Sequence, residues 1–331
     1  MKPDQPERNS TANAPSAPPS RNLVAAVDQS RQQLRWFACF VFGLSLAFAL
    51  PLFGLVRYSF TSGLNSHIIL IPGITFYLVW LRRQEPRPAI SGSPALALIP
   101  LALALVGLKA VLCPGETAGS RTPEDYYALT TFCYLALGWA GALWFLGGKF
   151  LIHFLFPAAF LTFMLPMPSA VRHGVEVFFQ HTSADAAAML FGMSGSTVFR
   201  DGLVFQLPGI TLQVAEECSG IRSSYVLFIT SLLAGYMFLR SPWRRTSLAL
   251  FVIPLAILRN GFRVFTLGWL CVHVNPAMID SPIHHRGGPL FFLLSLIPFF
   301  LILYWLWRAE RRATPFGGPV SDVQSPGNST L

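Results

Sequence analysis

Charge is scarce in this sequence. Of 331 residues, 12% are Asp, Glu, Lys or Arg and 53% are hydrophobic, with a mean hydropathy of +0.51. A soluble domain carries about 25% charged residues, so a soluble protein is excluded and a membrane protein is indicated. Long blocks of like charge are missing too. The net charge of +9 is spread singly or in pairs between apolar runs, which is the pattern of membrane topology signals and not of a nucleic-acid surface. Cysteine is sparse: Cys39, Cys113, Cys133, Cys218 and Cys271 are odd in number and none lies in a CxxC spacing. No disulfide framework or metal knuckle is predicted, and no cofactor is implied. There is no internal repeat, which weighs against transporters built from duplicated halves.

What the chain does contain is eight apolar runs, at about 36–56, 67–81, 94–113, 127–146, 150–167, 218–239, 247–262 and 287–307, each near the length that crosses a bilayer. The stretch between the fifth and sixth runs is different. Residues 169–193 read as a helix with Val171, Val175, Phe178 and Phe179 on one face and Arg172, Glu176 and Gln180 on the other, expected to lie in the interface plane. Residues 197–214 alternate and turn at Asp201-Gly202 and Pro208-Gly209, reading as a short hairpin. The predicted fold is therefore an all-α membrane protein of about eight transmembrane helices, with a small outer helix-plus-hairpin insertion before the sixth span. Residues 1–35 and 309–331 are polar tails expected to be disordered and cytoplasmic, flanking one polytopic domain over 36–308. No cleavable signal stands before the first run, which reads as an uncleaved helix.

Basic residues set the orientation. With the N-terminus inside, inner segments hold fifteen of the 24 Lys and Arg but six of the fifteen acids, a net +9, while the remainder is neutral. This positive-inside bias predicts a multi-pass plasma (inner) membrane protein with both termini cytoplasmic. Residues 168–217 and 259–286 then fall on the outer, periplasmic face.

Three chemical groups gather there. Cysteine in an apolar helix is ordinarily an inert filler, and Cys39, Cys113, Cys133 and Cys271 read that way. Cys218 instead stands at the outer start of a helix, where unpaired N–H groups favour a thiolate and Arg222 lies four residues on; Glu216 and Glu217 oppose it. Arg263 reads either as an interface arginine or as a functional cation at membrane depth, with Asn260 placed to orient it and Arg259 one turn away. His284 and His285 are either loop histidines or a proton shuttle, set before Gly287-Gly288, where a backbone approaches closely and a helix begins. A thiol to attack a carbonyl, an imidazole to move the proton and a guanidinium to hold the oxyanion make a nucleophilic cysteine site. The alternative is a non-catalytic membrane transporter or an assembly factor for exported polymer; Lys109 and His153 are the polar residues placed away from the outer face.

The ordered set Cys218-Ser-Gly-Ile-Arg222, Asn260-x-x-Arg263 and His284-x-x-x-Gly288 resembles the exosortase/archaeosortase family of membrane cysteine transpeptidases. Weaker agreement extends to Asn65-Ser66-His67 and to Leu165-Pro166-Met167-Pro168, and the likeness covers about 36–308. The resemblance implies cleavage of exported proteins at a C-terminal sorting signal made of a short motif such as Pro-Glu-Pro, a membrane helix and a basic tail. It implies Cys218 as nucleophile, Arg263 as oxyanion support and His284 as acid/base. His284 and not His285 has glycine at the matching offset, Gly288. The additional C-terminal domain of some relatives is not seen, so no polysaccharide-associated role is signalled.

Overall fold

The computed structural model describes residues 21–86, 88, 90–113, 121–214, 220–280 and 287–313. Its helices are α1 (Arg21–Ala47), α2 (Ala49–Thr61), α3 (Leu70–Leu81), α4 (Pro94–Leu112), α5 (Pro123–Phe145), α6 (Gly148–His153), α7 (Leu155–Phe160), α8 (Ser169–Met193), α9 (Ile221–Phe238), α10 (Pro242–His273) and α11 (Gly288–Ala313). Strands β1 (Phe199–Asp201), β2 (Val204–Leu207) and β3 (Ile210–Gln213) lie between α8 and α9. The protein is a helical, multi-pass membrane protein. Among the described residues, five helices are long and apolar enough to cross a bilayer, or seven spans if each of two broken helix pairs counts as one. The count expected from the sequence was eight. The difference lies in α3, whose 12 residues rise about 18 Å, short of a hydrocarbon core of about 30 Å. Helix α1 begins at Arg21, inside the stretch read as a polar tail.

The chain forms two compact units. The first comprises residues 1–55, 70–121 and 126–165. Small residues let its helices approach closely: a Cβ on Gly141 would come within 2.2 Å of Phe40, and one on Gly107 within 2.7 Å of Cys133 Sγ, the small-residue packing of membrane helices. Gly147 turns the chain after α5 at φ 88°, where a Cβ would strike Ser91 O at 1.7 Å, so only glycine fits. The run at 150–167 is broken into α6, α7 and the 3-10 turn Leu161–Met164. His153 is a structural contact here: its carbonyl accepts from Arg82 Nη1, and its Nε2 lies 3.4 Å from Glu85.

The second unit comprises residues 56–69, 122–125 and 166–331. Its α8 presents its faces in the reverse of the interfacial arrangement expected from the sequence. Glu176 and Gln180 are buried, whereas Val171 and Phe178 are about half exposed. Pairing explains the inversion. Arg172 binds Glu176 at 2.9 Å and Glu124 at 2.9 Å, Asp125 accepts the Ser169 N–H at 2.8 Å, and Gln180 Nε2 donates to Val214 O at 2.6 Å. Once its polar groups are satisfied inside, an outward apolar face is what lipid requires.

The two turns at Gly202 and Gly209, both with positive φ, make three antiparallel strands in the order β1-β2-β3, with Phe205 opposite Leu212. Their buried side chains Phe205, Leu207 and Leu212 join Ala184, Ala187 and Phe191 of α8 and Val264, Leu267 and Cys271 of α10 in one core. A second core unites α9, α10 and α11 through Leu227, Leu248, Val252, Phe299 and Leu303. Helix α10 is much longer than the apolar run at 247–262: it passes through Arg259, Asn260 and Arg263 and ends at His273. Helices α8 and α10 touch at Gly261, where a Cβ would lie 2.6 Å from Ala186 Cβ and 3.1 Å from Ser183 O. Gly261→Ala is expected to cost about 1–3 kcal/mol by overpacking. Gly174→Ala on α8, where a Cβ meets nothing within 4 Å, should be neutral or stabilising. Thermal unfolding of the two variants in one detergent checks the contrast.

Candidate functional site

Cys218, with Glu216 and Glu217, lies outside the described residues, as do His284 and His285. What is described is the frame on either side of them, and it is built from buried polar groups. Val214 ends the sheet segment; it is 1% exposed, its N–H donates to Leu203 O at 3.0 Å, and its carbonyl receives Gln180. Gly220 resumes the chain in the left-handed conformation (φ 71°) and N-caps α9. Val214 and Gly220, the described residues on either side of 215–219, are both engaged by hydrogen bonds.

Gly220 is clamped by α10. A Cβ there would lie 2.9 Å from Asn260 Oδ1 and 3.2 Å from Arg259 Nη2, so this position needs glycine for its φ and for its neighbours. Arg259 Nη2 donates to Gly220 O at 3.2 Å and to Ser224 Oγ at 3.0 Å, and the Ser224 hydroxyl in turn donates to Gly220 O at 2.8 Å. Asn260 is 2% and Arg259 8% exposed. The amide of the Asn260–Arg263 motif is therefore brought against the glycine of the Cys218 motif, and Arg263, half-buried, follows one turn along the same helix.

Arg259 was read from the sequence as a neighbour of Arg263, and the structure gives it a larger part. It makes no ion pair among the described residues, and its Nη1 is buried without a hydrogen-bond partner there. A buried cation with no counter-ion costs several kcal/mol, so such groups are found where an anion or a developing negative charge is to be met. The sequence signal was present: an ionisable residue at membrane depth, three residues from a buried position of an apolar helix.

The remaining predicted residues are placed as follows. Arg222 is exposed on the first turn of α9 and stands beside Gly63, whose Cβ would come within 2.8 Å of its Nη1. Gly288 opens α11, and a Cβ there would meet nothing within 4 Å, so the close backbone approach expected of it is not found among the described residues. The Asn65-Ser66-His67 turn reaches the same end of α9. His67 packs edge-on against Tyr225 with ring centroids 5.0 Å apart, its Nδ1 lies 3.1 Å from Leu64 O, and Asn65 Nδ2 donates to Ser62 Oγ at 3.0 Å. Asn65 and His67 are both buried. Beside them, Ile221, Ser224, Tyr225, Phe179 and Ala256 line an apolar cavity of about 340 Å³.

The family model for transmembrane exosortases (Exosortase_EpsH) matches residues 59–301. No curated protein and no solved structure matches the chain significantly. The matched stretch is far more than half of the 331 residues and runs from the Asn65 turn through both helices that clamp Gly220, and on that extent the chain belongs to the transmembrane exosortase family.

Proposed function

We propose that this protein is a membrane-embedded cysteine transpeptidase that cleaves C-terminal sorting signals, made of a short motif, an apolar helix and a basic tail, from exported proteins. The Cys218 thiolate attacks the scissile carbonyl and the charge gathers on its oxygen, which Arg263 receives. Collapse breaks the C–N bond, His284 delivers a proton to the departing amine, and a thioester remains on Cys218. An acceptor amine or water then attacks the thioester and passes its proton to His284 as the C–S bond breaks, restoring the Cys218 thiolate beside a protonated His284. Asn260 and Arg259 are positioning residues in this scheme.

The observation that carries this reading is the clamp on Gly220. It ties the backbone two residues beyond Cys218 to the helix turn that presents Arg263. Placement of the site on the outer face rests on the inner concentration of Lys and Arg.

The test is labelling of intact cells with a membrane-impermeant maleimide, using a variant in which Cys39, Cys113, Cys133 and Cys271 are alanine. Rapid modification at Cys218 is expected, whereas a thiol protected until the membrane is opened would reverse the orientation. His284 and His285 separate by mutation. Replacing His284 with Ala should stop turnover, and replacing His285 should slow it only slightly, as read from cleavage of a co-expressed substrate at matched membrane abundance. Equal mild losses would remove histidine from the mechanism.

A further inference from the structure

Within the first unit lies a cavity of about 560 Å³, independent of the transpeptidase reading. Phe37 of α1, Thr75 and Trp80 of α3, Gly138 and Trp139 of α5 and Phe154 line it. It opens outward, because Phe76, Val79 and Trp80 on its rim are all more than a third exposed. Proteins pack their interiors densely, and an unfilled apolar void forfeits contacts along its whole lining.

The lining is almost wholly apolar, and one cation stands on it: the exposed Arg83 lies over the Trp80 ring at 4.1 Å. It makes no ion pair among the described residues, in contrast to Arg82, which is engaged by Glu85.

We propose that this cavity is a binding site for one anionic phospholipid. An acyl chain fills the apolar space, and its phosphate sits on Arg83. A zwitterionic lipid supplies the chain and the phosphate but places a second, positive group at the arginine. Charge therefore discriminates between them, and the worth of one Arg near an anionic headgroup corresponds to about a fivefold preference.

The experiment is native mass spectrometry of the full chain released from detergent after titration with phosphatidylglycerol or phosphatidylcholine of identical chains. Wild type should retain one phosphatidylglycerol in preference to phosphatidylcholine. Arg83→Gln, at an exposed side chain that leaves the fold alone, should erase about fivefold of that preference. Gly138→Leu should expel both lipids from the retained position, since a Cβ there meets nothing within 4 Å and the longer side chain grows into the cavity. Circular dichroism matching wild type verifies that this variant is folded. Equal retention of the two lipids by wild type, or undiminished phosphatidylglycerol in folded Gly138→Leu, overturns the proposal.

Discussion

Cys218→Ala is expected to abolish processing while the chain accumulates in the membrane at normal abundance. Without the thiolate there is no bond to form to the scissile carbonyl, and loss of a catalytic nucleophile typically costs many orders of magnitude. The informative comparison is with the other cysteines. Cys133 is fully buried and lies so close to α4 that Gly107 has no room for a Cβ, while Cys271 is buried in the core shared by α8, α10 and the sheet. Their alanine variants lose packed volume, and should lower stability by about 1 kcal/mol while leaving turnover per folded molecule intact. Cys39 and Cys113 are exposed, and alanine there should change neither. Immunoblots of a co-expressed substrate, normalised to membrane abundance, separate the two classes. Processing by Cys218→Ala at normal abundance would remove the nucleophile from the scheme.

Several features of the fold were legible in the sequence because their cause is local. Apolar runs at 94–113 and 218–239 became α4 and α9 nearly residue for residue, since continuous hydropathy alone specifies a span. Both turns at Gly202 and Gly209 were visible, and two turns in one alternating segment already require three strands, which the reading as a hairpin undercounted. The features that were missed depend on distant partners. Helix α8 was turned the wrong way because Glu124 and Asp125, which satisfy its polar groups, lie more than forty residues upstream. Helix α10 was cut short at 262 because Arg259, Asn260 and Arg263 interrupt its hydropathy. A helix crosses such residues when their polar groups are met within the protein, and the partners of Arg259 are Gly220 and Ser224, on another helix.

The same distinction governs the site. Its residue types and their order along the chain were legible; the clamp was not. Gln180 was read as part of a solvated face, but it holds the last described residue before the Cys218 segment. Nothing in the local sequence of α8 points to Val214 O, 34 residues on. Arg259 had been set aside in favour of Arg263 because only the latter falls in the motif, and burial is what distinguishes it.

Arg263→Lys is expected to lose at least about a hundredfold in turnover, nearly as much as Arg263→Ala, because removal of one preorganised oxyanion donor costs that much and a flexible ammonium does not reproduce a planar fork. Since Arg263 is only half-buried, both variants should fold, and the loss should fall on kcat. Arg259→Met provides the contrast. Removing a buried cation that has no counter-ion among the described residues and keeping its volume should leave stability unchanged or raise it, yet Gly220 O and Ser224 Oγ each lose one donor and the tie from Arg259 to the start of α9 is broken. Processing should slow, and the rate of Cys218 modification by the impermeant maleimide should change as well, whereas Arg263→Lys should leave the tie between Arg259 and Gly220 undisturbed. Turnover, stability and thiol reactivity measured on the same preparations therefore assign the two arginines separately. Near-normal turnover in Arg263→Lys would reduce Arg263 to a charge on the helix surface, and an unchanged maleimide rate in Arg259→Met would mean that the clamp on Gly220 does not reach the nucleophile.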